Sequence, residues 1–128
     1  MSRVVFHANE CKLFSEKRST SRRYNGERKL VADKLKELGQ QLQPRLRSEG
    51  YNLDYRVSKH YPNPRNHWRV TGIWLAFTGS KHYYDWAQLN VGLYLRGLAI
   101  GIEVPRSRKD NPVARRMLIT LPVSLSIQ

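Results

Sequence analysis

The sequence predicts an α+β fold: one main amphipathic helix packed on a largely antiparallel sheet of about five strands. Three observations carry this expectation. Leu30, Val31, Leu35, Leu38, Leu42 and Leu46 recur at the steps of one apolar helical face. After Gly50 the period drops to two, first in Leu53, Tyr55 and Val57 and last in Met117, Ile119, Leu121, Val123, Leu125 and Ile127. Between them, Leu89–Leu95 and Leu98–Val104 meet at Arg96-Gly97, which reads as a β-hairpin.

Taken in order, Val4-Val5-Phe6 has β character and suits a first short strand. Ser15 to Tyr24 (SEKRSTSRRY) offers almost nothing to bury and is expected to be a loop or mobile basic segment at about 15–24. From Asn25 the helix begins, its polar face carrying Glu27, Lys29, Asp33, Lys36 and Glu37, with Lys29–Asp33 and Asp33–Glu37 one turn apart. Pro44 lacks an N–H and its ring clashes with the preceding turn. It is expected either to end the helix near Gln43 or to open a second short one, and Gly50 to stop it.

The strand at Leu53–Ser58 alternates apolar and polar residues, as a half-buried strand does. Tyr61 to His67 (YPNPRNH) must turn. Val70 to Thr78 (VTGIWLAFT) is apolar on both faces, which suits a central strand packed on two sides. Pro105 to Pro112 interrupts the sheet with a basic loop, and Pro122 places the last strand at an edge or on a bulge.

Length and composition narrow the function classes. The chain has 128 residues, 40% hydrophobic, enough for one folded domain. The single cysteine, Cys11, excludes an intramolecular disulfide and a multi-cysteine zinc site. No apolar run suits a signal peptide or a membrane span, so a cytoplasmic protein with no membrane partner is expected. Phosphate-cradling glycine motifs are absent and carboxylates are sparse after Glu49, so neither a cofactor nor a metal is expected.

The segment Lys34 to Tyr94 contains KLKELGQQLQPRL, then YRVSKH (Tyr55 to His60), IWLAF (Ile73 to Phe77) and QLNVGLY (Gln88 to Tyr94). In these strings the chain resembles the YktB-like family of small bacterial proteins, whose pattern joins a helix to a strand ending in Lys-His, then to a Trp-containing strand and a Gln-x-x-x-Gly-Leu strand. The resemblance covers about half the chain and implies an α+β sheet-and-helix fold; it implies no activity. Arg56 stands where the family pattern has another His, and Tyr61-Pro62 replaces its following basic pair.

Charge is the strongest functional signal. With 23 Lys and Arg against 10 Asp and Glu, the formal net charge is +13. Arg18, Arg22, Arg23, Arg28 and Lys29 form one cluster, and Arg106, Arg108, Lys109, Arg115 and Arg116 another. Lys59, Arg65 and Lys81 lie among aromatic residues, Trp68 in particular. Cationic clusters attract polyanions and release their condensed counterions, while aromatic faces stack unpaired bases. These residues are therefore the candidate nucleic-acid contacts. No sequence-reading module is present, so recognition of backbone or shape is expected. The reading is an RNA- or single-stranded-DNA-binding accessory protein, within a larger nucleoprotein or defence-related assembly.

Two alternatives accompany it. A small basic metal-independent ribonuclease would use His60 or His82 as general base, with Arg and Lys stabilising the charged phosphorane. A protein-interaction module would dock on an acidic partner surface, or pair its C-terminal edge strand with another chain.

Overall fold

The computed structural model describes residues 3–59, 71–79 and 88–103. Within them, one long helix packs on a four-stranded antiparallel sheet. Three short helical segments precede that helix: α1 (Ala8–Cys11), a 3₁₀ turn (Lys12–Phe14) and α2 (Glu16–Ser19). The long helix is α3 (Tyr24–Ser48), and the strands are β1 (Asp54–Val57), β2 (Gly72–Thr78), β3 (Gln88–Tyr94) and β4 (Gly97–Glu103).

The buried stripe of α3 is Tyr24, Arg28, Val31, Ala32, Leu35, Leu38, Gly39 and Leu46, the recurrence of a 3.6-residue period. Leu30, expected on that stripe, is 66% exposed. It lies one residue before Val31, about 100° around the helix and off the packed face. Pro44 neither ends the helix nor opens a second one, because α3 continues through it to Ser48. Its ring sits on the exposed side, as does Gln40, whose carbonyl loses its helical partner to proline and can be solvated instead. The final turn is held from beyond. Tyr51 donates its N–H to the Leu46 carbonyl (2.9 Å) and Gly50 to that of Arg47 (3.0 Å), while Leu46 and Tyr51 are both buried. This double closure is a Schellman motif, and it needs the left-handed φ of 92° that Gly50 supplies.

Residues 15–24, expected as a loop or mobile arm, contain the helical turn α2 and bury Ser19. The Ser15 hydroxyl caps that turn by accepting from the Arg18 N–H (3.3 Å). Val4 and Val5 do not form a strand; Phe6 makes an isolated bridge. The chain turns at His7 into α1, where the Glu10 carboxylate accepts the His7 N–H (2.8 Å). The short segments bring Phe6, Cys11, Leu13 and Phe14 into the core beside α3. Lys34 of α3 fastens them, donating to the Val5 carbonyl (3.0 Å) and to Glu10 Oε1 (2.7 Å).

The sheet order is β1-β2-β3-β4, each strand antiparallel to the next. Val57 stands opposite Leu75, Leu75 opposite Val91 and Val91 opposite Ile100. This register gathers Tyr55, Val57, Ile73, Leu75, Phe77, Leu89, Val91 and Leu93 on one face, the face that meets the core. The expected alternation in β1 is present, with Leu53 and Val57 buried and Asp54 and Arg56 exposed. Buried along nearly its whole length, β2 is the central strand that its composition requires. The hairpin forms with Leu95-Arg96 as its two turn residues, and Gly97 takes a φ of 139°. The expected final strand, 117–127, and the Pro105–Pro112 loop lie outside the described residues.

Helix and sheet meet closely at one point. A Cβ on Gly39 would stand 2.6 Å from the Tyr55 ring, so only glycine admits that ring against the helix backbone. Tyr55 in turn packs on Phe77, with ring centroids 5.7 Å apart and planes tilted by 51°.

Candidate nucleic-acid interface

The fold sorts the cationic residues by the end of the molecule at which they emerge. Gln43 of α3 donates to the Leu53 carbonyl (2.9 Å), whereas Arg28 donates to that of Ser58, so α3 and β1 run antiparallel. The start of α3 therefore shares an end with the close of β1, and Ser58 donates on to the Trp74 carbonyl (2.9 Å) at the start of β2. Through the pairs Gly72–Tyr94 and Tyr94–Gly97, the same end also holds the β3–β4 turn. Four exposed cations converge there: Arg22 and Arg23 before α3, Lys59 after β1, and Arg96 at the tip of the hairpin. One α3 turn spans about 5.4 Å, so Arg23 sits little more than a turn along the axis from Arg28.

The cluster read from sequence divides into three groups. Arg22, Arg23 and Lys59 are exposed at this end. Arg18 is held within the fold: it reaches Glu27 Oε2 (2.7 Å) and the Asn9 carbonyl (2.6 Å), joining α1, α2 and α3. Lys29 is exposed but paired with Asp33 (2.9 Å). That hydrogen bond raises the Lys29 pKa and lowers the Asp33 pKa from their ordinary values. Arg28 is 4% exposed and spans from α3 to the end of β1, so it belongs to the packing and leaves the set of surface phosphate contacts.

His60, Arg65, Trp68, Lys81, His82, Arg106, Arg108, Lys109, Arg115 and Arg116 lie outside the described residues. The described anchors fix where their segments attach. The connection beginning at His60 leaves from Lys59, at the end that carries Arg22 and Arg23. The connection containing His82 leaves from β2 at the opposite end. The chain enters the second basic cluster from Glu103, which pairs with Gln88, also at the opposite end.

Electrostatically, Arg22 and Arg23 occupy an unfavourable place. The start of a 25-residue helix carries partial positive charge, which disfavours cations. Glu27, the acid of the first turn, is engaged by Arg18. Beyond Arg18, which is paired with Glu27, α2 adds one charge of each sign in Glu16 and Lys17. A field of one sign therefore gathers at this end, and it is what an anion would relieve.

Sequence reasoning missed Arg96, because a lone arginine in a hairpin turn belongs to no cluster; the adjacent Gly97 was the available signal. It also missed Trp74, which alternates with Ile73 and Leu75 and so points away from the core. Among the described residues, no group of three or more His, Cys, Asp or Glu is placed to hold a metal ion, and no helix is long and apolar enough to cross a membrane.

Comparison of the chain with protein-family models, with curated proteins and with solved structures finds no match in any of the three.

Proposed function

We propose that the protein binds nucleic acid, RNA or single-stranded DNA, through its phosphate backbone. The observation that carries this reading is the convergence of Arg22, Arg23, Lys59 and Arg96 on the end where α3 begins. Two arginines held against a helix dipole are costly to a fold that does not use them, and a phosphate offsets that cost. Arginine forks suit phosphate oxygens, and a net charge of +13 draws a polyanion from a distance. No base-reading module accompanies them, so the contacts position a backbone rather than read a sequence.

The test is a salt-dependent titration with single-stranded RNA, single-stranded DNA and duplex. Four phosphate contacts give a log–log salt slope of about −3 on a single strand. The quadruple variant R22S/R23S/K59S/R96S is expected to flatten that slope and weaken binding on every sequence alike. A slope near zero in the wild-type protein overturns the reading.

A further inference from the structure

The core-facing side of the sheet is cut short at β4. Along one row of the register Leu75 and Val91 are fully buried, yet Ile100, which stands opposite Val91, is 42% exposed. Its neighbours on that face, Leu98 and Ile102, are only partly buried against the core. The other face of β4 is no better covered. Ala99 and Gly101 are exposed there, and a Cβ on Gly101 would meet nothing within 4 Å. From Ala99 to Gly101 the strand is therefore open to solvent on both faces of the sheet.

Its backbone is open along the edge as well. Tyr94 and Gly97 flank a two-residue turn, so they exchange both hydrogen bonds, and pairs of that kind alternate with pairs that do not. Gly92–Ala99 and Asn90–Gly101 follow in the first kind. The N–H and C=O groups of Leu98, Ile100 and Ile102 therefore point away from β3, and among the described residues no strand lies beyond to receive them. Soluble proteins blunt such an edge with lysine, proline, a bulge or an inward-pointing charge. From Gly97 to Ile102 there is no charged residue and no proline, and the register with β3 runs without a bulge.

We infer that β4 is the seam of a homodimer, in which two copies pair edge to edge about a two-fold axis at Ile100. An antiparallel pair centred there sets Ile100 beside Ile100 of the second copy, and Leu98 beside Ile102 of the second copy. All of these carry outward backbone groups, so the donors of one edge meet the acceptors of the other. On the core-facing side the truncated row gains an isoleucine next to Ile100, and on the other side Ala99 meets only Gly101. Charge favours this geometry. The seam is neutral in a chain of net charge +13, and antiparallel pairing sends the two cationic ends, each with Arg22, Arg23, Lys59 and Arg96, to opposite ends of the joined sheet. Parallel pairing would set Arg96 beside Arg96.

Sedimentation equilibrium on nuclease-treated protein tests the seam. Wild type is expected at twice the 15.0 kDa chain mass, and its dimer tightens as salt screens the repulsion between copies. A wild-type monomer overturns the inference, as does association that loosens with salt, which is bridging by a polyanion. Ile100→Lys and Ile100→Glu each place like charges across the axis and are expected to weaken dimerisation by about ten-fold or more. An equimolar mixture of the two restores it as a heterodimer; a mixture that stays monomeric overturns the pairing. Leu30→Lys, which alters charge in the same way at an exposed leucine of α3, stays dimeric. A dimer kept in full by Ile100→Lys, or lost equally in Leu30→Lys, defeats the seam. Independently of any variant, amide hydrogen exchange at Leu98, Ile100 and Ile102 is expected to slow as the wild-type concentration rises through dimerisation. Exchange that is fast at every concentration overturns the inference. So does protection that ignores concentration, which means that the edge is covered within one chain.

Discussion

Arg28 reaches from the second turn of α3 to the backbone carbonyl of Ser58, tying the long helix to the last residues of β1. A cation from the most basic stretch of the chain is thereby spent inside the molecule, and its surroundings make it structural. Replacing Arg28 with Ala is expected to cost about 2–3 kcal/mol, since it removes a charge-assisted hydrogen bond and leaves a partly buried carbonyl without that donor. Denaturant unfolding measures the loss. The nucleic-acid salt slope of the folded fraction should match wild type, because no surface phosphate contact is removed.

Arg23 has the opposite character. Arg23→Asp places an acid at the start of α3, where the helix dipole favours it, and is expected to stabilise the fold by about 0.5 kcal/mol. The same change should weaken nucleic-acid binding. Thermal melting and a binding titration on one preparation test the pair of signs together; a variant that melts lower and binds unchanged defeats the assignment.

Gly39→Ala should destabilise, although alanine is the better helix former by about 1 kcal/mol. The added methyl meets the base of the Tyr55 ring rather than a flexible tip, and overpacking of this kind costs about 1–3 kcal/mol. The packing cost outweighs the propensity gain, and a lowered melting midpoint is the expected readout.

Pro44→Ala should stabilise by about 1–2 kcal/mol, because it restores a helical donor in an exposed turn that is already formed. Urea unfolding with an unchanged m-value checks this. A loss of stability would mean that the proline's stiffening of the unfolded chain outweighs the missing bond.

Cys11 is buried, and desolvation, followed by the nearby Glu10 carboxylate, raises its pKa above the ordinary 9.0. With the folded value raised, the unfolded thiol ionises first. The contribution to stability is complete below about pH 9 and declines as pH rises past it. Alkylation of Cys11 at pH 8 should therefore be slow in the native protein and fast in urea, and Cys11→Ser should remove the alkaline component of the stability profile.

The helix and the alternating strands were legible because their periods are long enough to register: six apolar positions along α3 and strict alternation in β1. The short segments before α3 were not. α1 and α2 have four residues each, below the length at which a period shows, and α1 is held by a Glu10 cap on His7 rather than by a Ser or Thr signature. Pro44 misled because a proline inside a helix is expected to end it, whereas here it sits on the exposed side and the downstream turn is anchored by Leu46 and Tyr51. In the candidate site, Arg22 and Arg23 looked the same in sequence as Arg28. What separates them is phase: Arg28 falls in step with Tyr24, Val31 and Leu35, and its neighbours do not.

Each strand of the sheet lies beside the one that precedes it in the chain, and α3 reaches β1 through a five-residue connection. Almost every long helix or strand can therefore dock on a surface completed just before it, in the order of translation. Loop-closure entropy is incurred in small instalments, so folding of these elements should be fast for a protein with this much sheet, and a nascent chain should already hold α3 against three strands once Tyr94 has emerged from the ribosome.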